Sequence, residues 1–212
     1  MSSIYVIPGQ TLAQASGGDI AALTEVFQGC RVQLKRAIAM RLDTRMYGRV
    51  DPSDVVQETY LDAVRRINEF AARPQPLTLP SWLRFLALQR LVDLHRRHLG
   101  AQSRDAALEI SLDSPAGPHT SSVWLADQIL DHREHGCEVV LRAELRQRVR
   151  TALDQLDPLD REVLGMRHFE MLSNQEVATL LGISATASSN RYVRALRRLQ
   201  SIFPTDALPG TA

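Results

Sequence analysis

The chain has 212 residues, is 44% hydrophobic and only 5% aromatic, and carries a net charge of +1. That length admits one or two domains, and the composition suits small helical bundles packed with Leu, Val and Ala. Cys30 and Cys137 are too few for a disulfide framework or a zinc site by themselves, and no apolar run approaches the roughly 20 residues of a membrane span.

The near-neutral total hides an uneven distribution. Residues 84–104 hold Arg84, Arg90, Arg96, Arg97 and Arg104 against Asp93 alone, and residues 182–203 hold Arg191, Arg194, Arg197 and Arg198 against no acid. The segment between them is acidic. Two separated basic patches on a neutral chain point to two contacts with a polyanion. The basic residues are arginines except for Lys35. The N-terminus, MSSIYVIPGQ, lacks the basic start and long apolar run of a secretory signal. A soluble cytoplasmic protein is expected.

Residues 11–47 read as a helical hairpin. Ala13, Ile20, Leu23, Val26, Phe27, Leu34, Ile38 and Leu42 recur at helical spacing, and Gly17-Gly18 and Gly48 punctuate the ends. Asp51-Pro52-Ser53-Asp54 starts the next helix: Asp51 caps it, Pro52 suits the first helical position and Asp54 favours the dipole. That helix runs to about Phe70, with Val56, Tyr60, Ala63, Val64, Ile67 and Phe70 as its buried stripe. Asp54, Gln57, Glu58, Asp62 and Arg65 lie on the other side. A polar face of this kind is most often simply solvated.

Pro74, Pro76 and Pro80 stiffen the loop that follows. A third helix is expected from Ser81 to about His98, with a wide apolar face and a basic end. Arg96 and Arg97 there suit either the helix dipole or a nucleic acid. From 100 to 136 the helical pattern weakens into an acidic linker, with room for a short helix around 123–130. The sequence DHREHGC within it holds His132, His135 and Cys137, but their spacing matches no standard zinc motif. No metal and no cofactor are expected. Neither a glycine-rich phosphate loop nor a nucleophile with its base stands out. The Asp154, Asp157 and Asp160 spacing reads as helix-end capping and solvation.

The most informative stretch is LSNQEVATLLGISATASSNRYVRALRRLQ, residues 172–200. Ser173 and Glu176 form a capping box. Val177, Ala178, Leu180 and Leu181 pack the first helix, Gly182 makes the turn, Ile183 plugs the core and Ser184 caps the second helix. Ala187, Tyr192 (or Val193), Ala195, Leu196 and Leu199 face inward on this reading. Thr186, Ser188, Ser189, Asn190, Arg191 and Arg194 face outward. This is the layout of a helix-turn-helix, whose second helix reads base edges in the major groove. The plainer alternative is a helical hairpin with a basic face.

Taken together, the two halves resemble the extracytoplasmic-function class of bacterial RNA polymerase sigma factors, over residues 15–100 and 138–203. DPSDVVQETYLDAVRRINEF is similar to the second conserved region, which docks on the β′ clamp coiled coil. That match implies Asp54, Gln57 and Glu58 as polymerase contacts. WLRFLALQRLVDLHRRH resembles the region that melts the minus-ten element, which implies Arg90, Arg96 and Arg97 for the phosphates, with the loop at 71–81 in the place of the base-capturing loop. LDQLDPLDREVLGMRHFEMLSNQEVATLLGIS resembles the fourth region, which reads the minus-thirty-five element and packs on the β flap.

The chain departs from the family pattern in three places, one of them the loop at 71–80, which is Pro-rich where Gly and small polar residues are commoner. Ala87-Leu88-Gln89 stands where Ala-Arg-Asn is usual, and Ala187-Ser188-Ser189-Asn190-Arg191 replaces Thr-Val-Lys-Ser-Arg. Base preference therefore does not transfer, and Asn190, Arg191 and Arg194 carry more of the contact.

The resemblance implies an all-α protein of two small helical domains, 10–100 and 138–203, joined by an acidic flexible linker at 101–137 and followed by a tail at 204–212. It implies a dissociable promoter-specificity subunit without catalysis. Its partners would be core RNA polymerase and promoter DNA, with the anti-sigma factor that the family commonly has, and neither a membrane nor a small-molecule substrate. The rival is a helix-turn-helix regulator that binds an operator as a dimer and ignores polymerase. A metal-dependent helical enzyme using His132, His135 and Cys137 is a third reading.

Overall fold

The computed structural model describes residues 8–72, 78–99, 119–131 and 139–201. Among them every regular element is helical, and the chain divides into two compact units between Pro118 and His119.

The first unit contains α1 (Gly9–Ser16), α2 (Ile20–Ala39), α3 (Pro52–Ala71) and α4 (Leu79–Leu99), with a single 3-10 turn at Thr44–Met46. The expected hairpin is thus a short helix and a long one. Gly18 separates them at φ 99°, where a Cβ would meet Asn68 Oδ1 at 3.0 Å, so both the backbone and the neighbour ask for glycine. Asp19 then caps α2 by accepting the Ala22 N–H at 3.0 Å. Ile20, expected in the buried stripe, is 52% exposed. Side chains lean toward the helix N-terminus, and a first-turn residue projects past the packed part.

α4 is buried continuously from Trp82 to Leu88, Arg84 included. A helix apolar on nearly all sides has to lie inside, and α4 packs on both α2 and α3. Leu23, Ile38, Ile67, Leu83, Leu88 and Leu91 are sealed from solvent, each contributing about 1.5–3 kcal/mol of burial. Two aromatic pairs set the spacing of the layers, Phe27 on Tyr60 at 5.0 Å and Phe70 on Trp82 at 4.7 Å.

The second unit contains α5 (Ser122–Asp131), α6 (Val139–Asp154), α7 (Pro158–His168), α8 (Asn174–Leu181) and α9 (Ala185–Gln200). α5 is the short helix expected around 123–130, and it packs on α6. Leu125, Ala126 and Leu130 are buried, Trp124 meets Phe169 edge-on at 5.1 Å, and Asp127 pairs with Arg146 at 2.7 Å. The backbone N–H of Thr120 donates to the buried Glu162 carboxylate, and Arg161 donates to Ser122 Oγ. The apolar spacing of Leu125, Ile129 and Leu130 supplies the buried side of this short helix. No helix among the described residues is long and apolar enough to cross a membrane.

Candidate nucleic-acid and polymerase interfaces

In the second unit, three caps fix the geometry of α7, α8 and α9. Asp157 caps α7 by accepting the Leu159 N–H at 2.9 Å, ahead of Pro158. Ser173 Oγ accepts from Glu176 N at 3.2 Å while Glu176 Oε2 accepts from Ser173 N at 2.7 Å, the reciprocal box expected from the sequence. Gly182 closes α8 at φ 63°, in the left-handed region. Ser184 Oγ then accepts from Ala187 N at 3.1 Å to start α9. Asn174 Nδ2 donates to the Ala185 carbonyl at 2.8 Å, tying the first turn of α8 to that of α9. Beneath lies a core of Val163, Met166 and Val177, with Leu172, Leu181, Ile183 and Tyr192 packed against it.

The outward face of α9 carries Thr186, Ser189, Asn190, Val193, Arg194 and Arg197, all exposed. Ser188, expected on that face, is a correction: it is fully buried, and its Oγ has no hydrogen-bond partner. The helical period puts Ser188 in line with the cap Ser184 and with buried Ala195 and Leu199, on the packed side. Tyr192 faces inward, with the Arg167 guanidinium 5.2 Å from its ring centroid. Val193 therefore lies in the middle of the outward face, 40% exposed. The sequence left the choice between these two open. An exposed Val among polar groups suits contact with a thymine methyl, as Thr, Ser and Asn suit base edges.

Arg191 and Arg194 are not simply presented to solvent. Arg191 Nη1 lies 2.6 Å from Asp160 Oδ1 and 3.3 Å from Asp157 Oδ1. Arg194 Nε lies 2.6 Å from Asp160 Oδ2, and its Nη2 donates to Oδ1 at 3.2 Å. The Asp160 side chain is only 3% exposed. Asp160 is therefore not the solvated residue its spacing led us to expect; its carboxylate joins α7 to α9.

In the first unit, Asp54, Gln57 and Glu58 are exposed on one face of α3, as expected. Leu61, one turn further on, is 52% exposed on the same face, and the polar pattern gave no sign of it. Lys35 reaches from α2 to the start of α3, with Nζ 2.7 Å from Ser53 Oγ and 4.0 Å from Asp51.

The arginines of α4 differ from one another. Arg96 and Arg97 are exposed at its C-terminal end, and Arg97 Nε donates to the Asp93 carbonyl at 3.2 Å. That contact folds the Arg97 side chain back along its own helix. Arg90 is only 24% exposed and bridges back to α3, with Nη2 2.6 Å from Asp62 and Nε 3.3 Å from Glu58. Between these sits His95, buried, whose Nε2 accepts the Asp43 N–H at 3.3 Å. Burial lowers the His95 pKa, and the nearby Asp43 charge offsets this only in part. Asp43 itself is held down at about 2, chiefly by hydrogen bonding from Arg45.

His132, His135, Cys137 and most of the loop at 71–80 lie outside the described residues. Among the described residues no cluster of His, Cys, Asp and Glu is arranged to hold a metal.

Comparison with known proteins adds a family match. The model for "Sigma-70, region 4" matches residues 146–199, from α6 through α9. The chain is 27% identical over 198 residues to the RNA polymerase sigma factor CnrH of Cupriavidus metallidurans, covering 92% of this chain and 93% of that one. It is 29% identical over 195 residues to the RNA polymerase sigma factor NccH of Alcaligenes xylosoxydans xylosoxydans, covering 89% and 90%. The ECF RNA polymerase sigma factor SigD of Mycobacterium tuberculosis is 28% identical over 189 residues, covering 89% and 80%. Among solved structures, that of CnrH in complex with the cytosolic domain of CnrY aligns with a TM-score of 0.49 at 23% identity, covering 91% of this chain and 94% of that one.

Proposed function

We infer, from the premise that this chain belongs to the extracytoplasmic-function class of sigma-70 RNA polymerase sigma factors, how the work of promoter recognition divides between its two units. The chain is a promoter-specificity subunit that directs transcription initiation, with core RNA polymerase and promoter DNA as its partners. It acts in the cytoplasm and leaves the chemistry to the polymerase.

The first unit, residues 10–100, grips the polymerase and engages the minus-ten element. Asp54, Gln57 and Glu58 offer the β′ clamp an acidic, polar helix face. Arg96 and Arg97 hold phosphates of the opened strand, and Arg90 is a third candidate whose pairing with Glu58 and Asp62 sets it behind them. The second unit, through its part at 138–203, docks on the β flap and reads the minus-thirty-five duplex. Thr186, Ser189 and Asn190 contact base edges, with Arg191 and Arg194 flanking them. An anti-sigma factor is the regulatory partner that the resemblance implies.

The observation that carries this reading is the capped α8–α9 pair with its outward polar face, inside the segment that matches sigma region 4. Phosphate contacts are few and salt-sensitive, so the free chain binds DNA weakly. Two weak sites held at promoter spacing by one polymerase act together. The test is run-off transcription by bacterial core polymerase on fragments upstream of the chain's own gene, with co-elution checked in the same preparation. A chain-dependent transcript with co-elution is expected. Failure to co-elute with any core tested would overturn the polymerase contact.

A further inference from the structure

The second unit carries a feature that the division of labour does not use. Asp160 is the third residue of α7, nearly sealed from solvent, and it accepts from two guanidiniums of α9. Asp157 adds a second carboxylate to Arg191. These pairs span 31 to 34 residues of sequence. Two arginines and two aspartates cancel in charge, so half of the four α9 arginines add no net positive charge to its surface. The two do not leave together easily: withdrawing both would strand a buried carboxylate with no cation.

We propose that Asp160, assisted by Asp157, is a specificity-determining positioning residue: an electrostatic latch that holds Arg191 and Arg194 against α7 and so suppresses sequence-independent binding of α9 to duplex DNA. Phosphate contacts supply affinity without sequence information, whereas base-edge contacts discriminate. Engaging Arg191 Nη1 and Arg194 Nε and Nη2 within the protein lowers the first and leaves the second to Thr186, Ser189, Asn190 and Val193. The inference rests on the reading of α9 as the DNA-contacting helix.

The test is a salt titration of the full chain binding a labelled duplex of scrambled sequence, by fluorescence anisotropy, from ~50 to ~200 mM salt. For Asp160→Asn, affinity for this duplex should rise about threefold to tenfold, and the slope of log K against log salt should steepen by about 0.9 to 1.8 as one or two phosphate contacts are gained. Asp157→Asn touches only Arg191 of the pair and keeps a competent helix cap, so it should move the slope the same way by up to about 0.9, and it serves if Asp160→Asn fails to fold. Adding Arg194→Ala to Asp160→Asn should reverse much of the gain.

A folded variant whose slope is unchanged or shallower would make the cluster a structural staple and overturn the latch. Ser189→Glu in the same titration separates the two ideas. Weaker binding by Ser189→Glu with no steepening in the aspartate variants sinks the latch alone. No effect of Ser189→Glu removes the DNA-contacting reading of α9, and the latch with it.

Discussion

Arg90 of α4 sits with Nη2 2.6 Å from Asp62 Oδ2 of α3, and the same guanidinium faces Glu58 at 3.3 Å. A residue expected to hold DNA therefore joins two helices of its own domain. With Arg90 only 24% exposed, its ion pairs are worth more than those of a surface pair, although its Nε makes no hydrogen bond. Arg90→Ala should lower the unfolding free energy of the first unit by about 1–3 kcal/mol, measured by urea denaturation. Arg97→Ala should stay within about 0.5 kcal/mol of wild type while reducing open-complex formation in permanganate footprinting. The second substitution is the cleaner probe of the minus-ten contact.

Ser188 buries a hydroxyl that has no hydrogen-bond partner. Removing it while keeping the volume nearly constant should relieve a desolvation cost. Ser188→Ala is expected to be neutral or to stabilise by up to about 1 kcal/mol, with binding to the minus-thirty-five duplex unchanged. A loss of DNA binding at unchanged thermal stability would put Ser188 back among the contacts.

Met171, just ahead of the α8 cap, adopts φ 61°. A non-glycine residue in the left-handed region costs roughly 1–2 kcal/mol, and the residue is 56% exposed, so little packing offsets the strain. Met171→Gly should raise the melting temperature of the second unit, with a net gain of about 0.5–1 kcal/mol after the added freedom of the unfolded glycine. Calorimetry decides it.

His95 accepts a backbone N–H and is buried, so it is neutral when folded. Its folded pKa lies below its unfolded value. The unfolded chain therefore binds the proton first, and stability is complete above about pH 6.5 and falls below it, by at most ~1.4 kcal/mol per pH unit. Asp43, held at about 2 against an ordinary 3.8, contributes above the ordinary value and is lost as pH drops from there toward 2. The urea midpoint of the first unit should thus fall between pH 7.5 and 5.5. His95→Gln, which keeps an acceptor, should flatten that limb.

The elements whose signals are local were legible in the sequence. Asp51 with Pro52, Ser173 with Glu176, Gly182 and Ser184 each act within one turn, and each does what its position predicts. The wide apolar face of α4 was legible too, and it is buried from Trp82 to Leu88. Partners on other helices were not legible. Counting charges in a window showed four arginines on α9 and no acid, but nothing in that window shows Asp160 meeting two of them from α7. The same holds for Arg90 with Asp62. Ser188 was misplaced because a small polar residue fits either side of a helix, and only the phase set by Ala195 and Leu199 excludes it from the surface.

Lys35 is the one lysine of the chain, and it stands half-exposed beside the first turn of α3. Its consequence is practical. Apart from the α-amino group, an amine-reactive dye has a single point of attachment, two turns or less from Asp54 and Glu58. A fluorophore placed there without any engineered cysteine would report directly on whether that helix face is occupied.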